Sequence, residues 1–206
     1  MTITELNTHI IEWAKERELD TKGTAEAQAI KTVEELSELI KAICKDNKED
    51  IIDSIGDVYV TLVIGNMLDK NIDLSAIILV INTLADKQNI KKPYAFYKKL
   101  LLQDMSNDIF DVLESKYEPW VVEHITARII CITHMYDLDF VECVECAYNT
   151  IKDRKGKLVD GMYVKDEDLA SGAAQKTTPE FTNEIVKKIG NEITKNFFDG
   201  FTDALY

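Results

Sequence analysis

Proline, glycine and cysteine are scarce in this sequence. Three prolines and eight glycines in 206 residues leave few sites for the tight turns of a β-rich fold, because these two residues supply many of those turns. The scarcity predicts an almost entirely helical chain. Hydrophobic residues make up 46% of the sequence, so the chain can bury a sizeable core as one domain or as two tightly packed halves.

Basic residues are also in deficit. The chain has 24 lysines and arginines against 37 acidic residues, which gives a net charge of -13. Such a surface disfavours nucleic acids and anionic membranes as partners, because both bind basic surfaces. No apolar run is as long as a membrane span, and the N-terminus lacks a signal-peptide pattern. We therefore expect no nucleic-acid partner, no membrane partner and a cytoplasmic location.

The four cysteines lie within periodic helical patterns rather than in the loop-rich framework of a small secreted domain. They are Cys44, Cys131, Cys143 and Cys146. Reduced thiols are therefore expected. A second interpretation stays open, because Cys131, Cys143 and Cys146 together with His134 have the ligand types of a structural zinc site.

Apolar residues recur at helical spacing along the N-terminal part of the chain. The pattern predicts helices at about 3–19, 25–44 and 49–68, and a fourth that begins after a cap at Asp73 or Ser75 and ends near residue 88. Residues 156–170 are turn-rich. Residues 171–206 are predicted to form a linker and an amphipathic C-terminal helix, which packs on the core or against another subunit.

Two of these helices direct carboxylates to a shared region. Glu35 and Glu38 lie on one face of the second helix, and Asp53 and Asp57 share a face of the third. That third-helix face becomes apolar one turn later, so the aspartates are predicted to be enclosed. Enclosed carboxylates at close range need protons or cations, and hard divalent ions with oxygen ligands meet that need.

A faint repeat relates the two halves of the chain at a spacing of 66 to 69 residues. Segment 71–74 (Asn-Ile-Asp-Leu) matches segment 137–140 (Asp-Leu-Asp-Phe), and the residues that follow each are similar. The repeat predicts a tandem duplication within a domain of residues 1–170, with copies at about 3–92 and 93–168. The cysteines of the second copy then align with apolar packing positions, which argues against zinc.

The two copies differ in their charged groups. At an offset of 69 residues, Glu35, Glu38, Asp53 and Asp57 correspond to Asp104, Asn107, Val122 and Thr126. The basic segment 152–155 (Lys-Asp-Arg-Lys) has no full counterpart in the first copy. The duplication therefore predicts one composite site, with cation ligands from the first half and anion-binding groups from the second.

The acidic motif resembles that of a known enzyme family. The pattern Gln28-x-x-Lys31-x-x-Glu34-Glu35-x-x-Glu38, followed by Asp53-x-x-Gly56-Asp57-Val58, is similar to the MazG-like all-α nucleoside triphosphate pyrophosphohydrolases. Segment 147–165 resembles the C-terminal end of short phage-type members. The tandem arrangement is similar to that of the dimeric all-α dUTPases. The resemblance implies an all-α helical bundle and, in a phage-encoded chain, a location in the host cytoplasm.

The resemblance also implies a reaction. Members of the family use Mg²⁺, with Mn²⁺ a possible substitute, to cleave an NTP or dNTP between the α and β phosphates into a nucleoside monophosphate and pyrophosphate. The metal ligands implied here are Glu35, Glu38, Asp53 and Asp57 with Glu34 beside them, and Glu35, Glu38 and Asp57 are the catalytic positions. The family places a glutamate where this chain has Ser54, so Asp53 is the substitute ligand.

The expected substrate contacts complete this interpretation. They are Lys31, Asn149, Lys152, Arg154 and Lys155. The basic groups of segment 152–155 would bind the β and γ phosphates, and Asn149 the sugar or base. A homo-oligomer is expected, with a dimer favoured. The alternative is a nucleotide-binding protein of the same fold with weak or no turnover, which the serine at position 54 favours.

Overall fold

Helices account for nearly all of the chain that the computed structural model describes, which is residues 1–88 and 95–171. In chain order they are α1 (Ile3–Glu16), α2 (Leu19–Lys22), α3 (Ala25–Lys45), α4 (Lys48–Leu68), α5 (Leu74–Gln88), α6 (Ala95–Ser115), α7 (Pro119–Tyr136), α8 (Phe140–Ile151) and, after a hairpin, α9 (Asp166–Ser171). The hairpin pairs β1 (Gly156–Val159) with β2 (Met162–Lys165). The predicted all-α fold is confirmed.

The chain divides into two compact units by its internal contacts. The first is Met1–Tyr163, and the second begins at Val164. The hairpin lies where a turn-rich segment was predicted, and the linker and C-terminal helix predicted for 171–206 lie outside the described residues except for residue 171. The predicted domain boundary at residue 170 and the two predicted copies stay predictions.

The first predicted helix is divided in two. α1 begins with a capping box, in which Thr2 accepts from the backbone of Glu5 while the Glu5 side chain accepts from the backbone of Thr2. α1 ends at Glu16, because Glu18 takes a left-handed conformation with φ of 58° that a helix cannot continue through. α2 then starts at Leu19, whose side chain is buried. The predicted single helix over 3–19 is therefore wrong at its C-terminal end.

Side-chain caps fix where the next helices begin. The Thr24 hydroxyl accepts from a backbone N–H in the first turn of α3, and the Asn47 side chain does the same for α4. The Asp73 carboxylate accepts from the backbone N–H of Ser75 at 3.0 Å, which confirms the predicted cap at Asp73. Each cap satisfies donors that the helix leaves without partners.

α4 is the central helix of the bundle. Its residues from Ser54 to Asn66 are buried apart from Asp57, and it packs against α1, α3, α7 and α8. By length and composition α4 could cross a membrane, which corrects the prediction that no apolar run is that long. However, 72% of its apolar window is buried inside the protein, as expected for the core helix of a bundle.

The contacts that helices α3 and α4 make with α6–α8 are partly mirrored by the contacts that α6 and α7 make with α3–α5. α3 packs on α6 and α4 on α7, while α4 packs on α8 and α7 packs on α5. α3 and α6 run antiparallel, because Lys116 near the end of α6 pairs with Glu26 at the start of α3, and Lys98 at the start of α6 pairs with Asp46 after α3. A duplicated unit related by a twofold axis would give this arrangement.

A glycine allows α4 and α8 to pack closely. A Cβ at Gly56 would lie 2.4 Å from the carbonyl oxygen of Cys143 and 2.6 Å from the Cβ of Ala147, so only glycine fits there. Nearer the start of α8, Phe140 packs edge-on against Tyr59 with ring centroids 5.1 Å apart. The two helices are therefore antiparallel, and the C-terminal end of α8 lies toward the Asp53 end of α4.

The close approach at Gly56 predicts the cost of a methyl group. Gly56→Ala gains helix propensity of about 1 kcal/mol but forces two backbones apart, and overpacking in a core costs about 1–3 kcal/mol or more. Because the nearest clash is with a backbone carbonyl, the cost lies toward the upper end of that range, and we expect a net loss of about 1–2 kcal/mol in the free energy of unfolding, measured by urea denaturation. The control Lys41→Ala, at an exposed position of α3, should change stability by less than about 0.5 kcal/mol. Equal stability of both variants would contradict the packing at Gly56.

Candidate active site

The antiparallel pair α3 and α4 brings two predicted ligands together. The Gln28 side-chain amide donates to the backbone carbonyl of Thr61 at 3.3 Å, which ties the first half of α3 to the second half of α4. Glu35 and Asp57 then face each other across the pair. Their proximity has an electrostatic effect, since the charge of Asp57 raises the pKa of Glu35.

Glu35 is the most strongly perturbed carboxylate of this group. Its pKa is raised from an ordinary value of 4.5 to about 7, chiefly because burial disfavours the charged form. Lys31 opposes that rise, whereas the negative charges of Asp57, Glu34 and Glu38 add to it. Glu35 and Asp57 therefore lie close enough to repel one another across the helix pair.

Lys31 provides positive charge within this group. Its Nζ atom pairs with Glu34 and lies 3.6 Å from Glu35 Oε1. Burial lowers the pKa of the Lys31 ammonium, but the carboxylates of Glu34 and Glu35 outweigh that effect and the pKa is raised overall. The ammonium therefore stays charged at neutral pH and compensates part of the negative charge of the site.

The remaining ligand positions are more open than predicted. Asp57 is half-buried, whereas Glu34, Glu38 and Asp53 are exposed. The predicted enclosure of Asp53 is therefore wrong. Asp53 precedes the continuously covered part of α4, which begins at Ser54, and Ser54 itself is buried with 7% exposure. The face of α4 that carries Asp53 and Asp57 is apolar and buried one turn further along, but this burial does not reach back to Asp53.

The donor set suits a hard divalent cation. Glu34, Glu35, Glu38 and Asp57 lie within electrostatic range of one another on two adjacent helices, together with the Lys31 ammonium, and Asp53 lies one turn before Asp57 on α4. Carboxylate oxygens are the ligands that Mg²⁺ and Mn²⁺ take in proteins. Glu35, Glu38, Asp53 and Asp57 are the residues that could hold such an ion, and their assignment as ligands stays a prediction.

The predicted anion-binding segment lies at the end of α8. Asn149, Lys152 and Lys155 are exposed, and Arg154 is half-buried. The Lys152 ammonium donates to the Asn149 side-chain oxygen at 2.9 Å. On the helical wheel, Asn149 lies opposite the α8 residues that pack into the core. Neither the Asn149 side chain nor its bond to Lys152 is directed toward α4.

The neighbours of α4 explain this orientation. Around the circumference of α4, Gly56 lies between Tyr59 and Asp57. Tyr59 donates a hydrogen bond to Asn7 on α1, Gly56 contacts α8 and Asp57 faces α3, so α8 packs on α4 between α1 and the carboxylates. Arg17, just past α1, donates to the backbone carbonyls of both Lys152 and Arg154, which ties the end of α8 to the end of α1. Because α8 runs antiparallel to α4, this segment lies toward the Asp53 end of α4. The phosphate, sugar and base contacts predicted for the segment stay predictions.

The sequence analysis missed a second charged cluster, on α6 and α7. Among the described residues, Asp108, Asp111 and His124 offer ligand atoms within 4.8 Å of one another. The spacing of the two aspartates on α6 was a signal for this cluster. However, Arg128 pairs with Asp108 Oδ2 at 3.0 Å and with Asp104 at 3.3 Å. The arginine already compensates the buried Asp108, so we assign the cluster as an ion-pair network.

The cysteines do not support the zinc interpretation. All four are described and all four are free. Cys143 is buried, Cys131 is half-buried, and Cys44 and Cys146 are exposed. Burial raises the pKa of Cys143 to about 11, so its thiol is protonated and unreactive at neutral pH. Within residues 1–88 and 95–171, no cysteine belongs to the group that could hold a metal ion.

Known proteins resemble parts of this chain. Residues 4–87 match the model of the family described as phosphoribosyl-ATP pyrophosphohydrolase, which is related to the MazG-like superfamily. An uncharacterized 18.2 kDa protein from the rep-hol intergenic region of Haemophilus phage HP1 is 40% identical over 60 residues. Those residues are 29% of this chain and 37% of the phage protein, so the match spans little more than a third of that relative. No solved structure matches the chain.

The family match has defined limits. It covers less than half of the chain and includes all the predicted carboxylate ligands and Lys31, but it ends well before Asn149. It supports pyrophosphohydrolase chemistry on a nucleotide. It carries no information about the basic segment at the end of α8.

The raised pKa of Glu35 predicts that stability depends on pH. The neutral carboxyl is favoured in the folded state, so the contribution of Glu35 is fully present below about pH 4.5 and is lost as pH rises to about 7. The span from 4.5 to about 7 corresponds to roughly 3 kcal/mol. In the presence of a chelator, Glu35→Gln should therefore be up to about 3 kcal/mol more stable than wild type at pH 8.

The measurement is urea denaturation at pH 4.5 and pH 8. Near pH 4.5 the two proteins should differ by less than about 1 kcal/mol, because Glu35 is then neutral in the folded state and half protonated in the unfolded state. Glu12→Gln, at an exposed position of α1, serves as the control and should show little change at either pH. A Glu35→Gln effect that does not change with pH would contradict the charge repulsion at this site.

The ion-pair network predicts that replacing Arg128 lowers the stability of the protein more than replacing an exposed lysine does. Asp108 has a side-chain exposure of 1%, so Arg128→Met leaves a buried carboxylate without its cation and should cost about 3 kcal/mol. Lys70→Met removes an exposed pair with Glu118 and should cost less than about 1 kcal/mol. Adding Asp108→Leu to Arg128→Met should recover most of the loss. Equal urea-denaturation midpoints for the two single variants would argue against the assignment.

Proposed function

We propose that this chain is a Mg²⁺-dependent nucleotide pyrophosphohydrolase that cleaves an NTP or dNTP between the α and β phosphates. Mn²⁺ is expected to substitute for Mg²⁺. The observation that supports this most directly is the electrostatic coupling of Glu35 to Asp57, Glu34 and Glu38. These carboxylates lie on adjacent helices inside the segment that matches a pyrophosphohydrolase family. The proposed products are a nucleoside monophosphate and pyrophosphate.

Each residue has a defined task in this proposal. Glu35, Glu38, Asp53 and Asp57 would hold the cation, with Glu34 beside them. When bound, Mg²⁺ lowers the pKa of water and offsets negative charge on the phosphoryl oxygens. The ionised form of Glu35 is needed for ligation, and a nearby cation favours that form. Asp57, half-buried opposite Glu35, is held in place by the packing of α4.

Two groups of cations are proposed to bind the phosphates. Lys31 already lies among the carboxylates, so its ammonium is adjacent to any phosphate that bridges to a bound ion. Arg154 and Lys155 follow the end of α8 and are proposed to bind the outer phosphates, since guanidinium and ammonium groups pair well with phosphate oxygens. Lys152 and Asn149 are proposed as outer contacts of the same segment. The nucleoside triphosphate is the proposed partner, in a cytoplasmic homo-oligomer.

The decisive experiment is a product assay with a substrate panel. The protein is incubated with Mg²⁺ and NTPs, dNTPs including dUTP, or phosphoribosyl-ATP, and pyrophosphate and monophosphate are quantified. Glu38→Gln should lower the rate by about 100-fold or more, because a bound cation contributes several kcal/mol to catalysis. Glu49→Gln, in the exposed first turn of α4, should retain wild-type activity. Release of orthophosphate alone, or turnover unaffected by Glu38→Gln, would refute the proposal.

A second candidate function is favoured by Ser54. Its side chain is buried with 7% exposure at the position where the related enzymes place a glutamate, so the ligand set depends on the exposed Asp53. A protein of this kind would bind nucleotides with little or no turnover. Calorimetry that shows tight triphosphate binding, with intact phosphates after long incubation in Mg²⁺, would favour this alternative.

A further inference from the structure

Lys31 has an unusual position for a surface lysine. Its side chain is 27% exposed, and its ammonium pairs with both Glu34 and Glu35, which follow it by three and four residues on α3. Glu35 is only 15% exposed, so the ammonium reaches into the partly buried side of the carboxylate group. Lys31 therefore neutralises the same oxygens that the proposed function assigns to a divalent cation.

We propose that Lys31 is an exchangeable counter-ion, which occupies the carboxylates in the free protein and moves to the phosphates of the substrate when a divalent cation binds. This inference rests on the proposed function and adds a coupling between the cation and the nucleotide. The ammonium and the divalent cation compete for Glu34 and Glu35. Displacement of the ammonium then supplies a free positive charge next to the place where phosphate arrives.

The charges give the reason for the exchange. A cation with two charges, held by Glu35 and Asp57, would lie within a few ångströms of the Lys31 ammonium, and like charges at that distance repel strongly in a partly buried site. The lysine side chain is long and flexible and its ammonium is a point charge, so it can leave one partner for another without a change in the backbone. Its partial exposure leaves room for that movement.

The exchange predicts a reciprocal coupling. If the cation frees Lys31 for phosphate, then phosphate must tighten cation binding by the same factor, because binding free energies are linked. Couplings of this kind are commonly about 5- to 150-fold. Direct contact between the ion and the phosphate also couples the two ligands, so the exchange is recognised by the part of the coupling that is lost when Lys31 is replaced. A lysine that only stabilises α3 by pairing along the helix would leave the coupling unchanged on replacement.

The test compares Lys31→Met with Lys41→Met, an exposed lysine of the same helix. Binding of Mn²⁺ alone is measured by calorimetry at pH 8.5. Lys31→Met should bind Mn²⁺ about 10-fold more tightly than wild type, because the competing charge is gone. Lys41→Met should bind as wild type does. Circular dichroism and denaturation midpoints establish that the variants are folded.

A second arm measures the phosphate side with a nucleoside triphosphate that has an imido group between its α and β phosphorus atoms. With Mn²⁺ present, Lys31→Met should bind this analogue about 10-fold more weakly than wild type, and the tightening of Mn²⁺ by the analogue should shrink by the same factor. Lys31→Arg keeps the charge and should behave more like wild type in the Mn²⁺ titration. Glu38→Gln should remove Mn²⁺ binding at this site.

Several outcomes would overturn the inference. They are equal or weaker Mn²⁺ binding by folded Lys31→Met at pH 8.5, tightening by Lys31→Arg equal to that by Lys31→Met, and Mn²⁺ binding that persists in Glu38→Gln. All three are binding results and are independent of turnover. The expected shifts without any pyrophosphate release would therefore leave the exchange standing and refute only the proposed reaction.

Discussion

Repulsion among the carboxylates of α3 and α4 is the constraint on which the rest of this bundle depends. Glu35 is held where burial and three neighbouring negative charges all oppose its ionisation, and only Lys31 lowers that cost. A fold selected for stability alone would not retain this arrangement, because replacing Glu35 by a neutral residue removes the repulsion. The structure tolerates it because the other sides of α4 are covered by apolar packing, which supplies the stability that the charged side lacks.

Close helix packing is what gives α4 that support. Gly56 lets α8 approach within contact of the α4 backbone, and a Cβ at Gly65 would fall inside the ring of Tyr117. Tyr117 is fully buried, and its hydroxyl pairs with that of Thr32 on α3 at 2.7 Å. Gly56 therefore brings α8 directly onto α4, and Gly65 admits Tyr117, whose hydroxyl links this end of α4 to α3.

The parts of the fold that follow from local chemistry could be predicted from the sequence. Helical periodicity located α3 and α4 to within one residue at each end, and Asp73 was recognisable as a cap. The convergence of Glu35 and Asp57 followed from their spacing. The break at Glu18 was missed because it depends on a single left-handed residue. The hairpin has a local signal that was not used, since Asp160 and Gly161 join the two strands with φ of 50° and 81°, and Asp-Gly is a favoured two-residue hairpin turn. The exposure of Asp53 depends on where the covered part of α4 begins, which periodicity alone cannot give.

Long-range pairing was the other limit. The pairing of Arg128 with Asp104 and Asp108 joins α7 to α6. Arg128 follows Asp108 by 20 residues and lies on another helix, so residue spacing within α6 could not reveal this ion pair. The same limit applies to the end of α8. Arg17 ties its backbone to α1 by binding the carbonyls of Lys152 and Arg154, and no local pattern in either helix could show that contact.

α4 and α7 differ in polarity at the positions that the predicted repeat aligns with each other. The residues of α7 that correspond to Asp53 and Asp57 are Val122 and Thr126, and both are fully buried. The Thr126 hydroxyl has no hydrogen-bond partner there, which costs free energy in an apolar setting. Valine has nearly the same shape as threonine and no hydroxyl, so packing alone gives no reason for a threonine at position 126. The predicted duplication offers an account of that hydroxyl, as the remainder of a polar position whose neighbouring carboxylates were replaced by apolar residues.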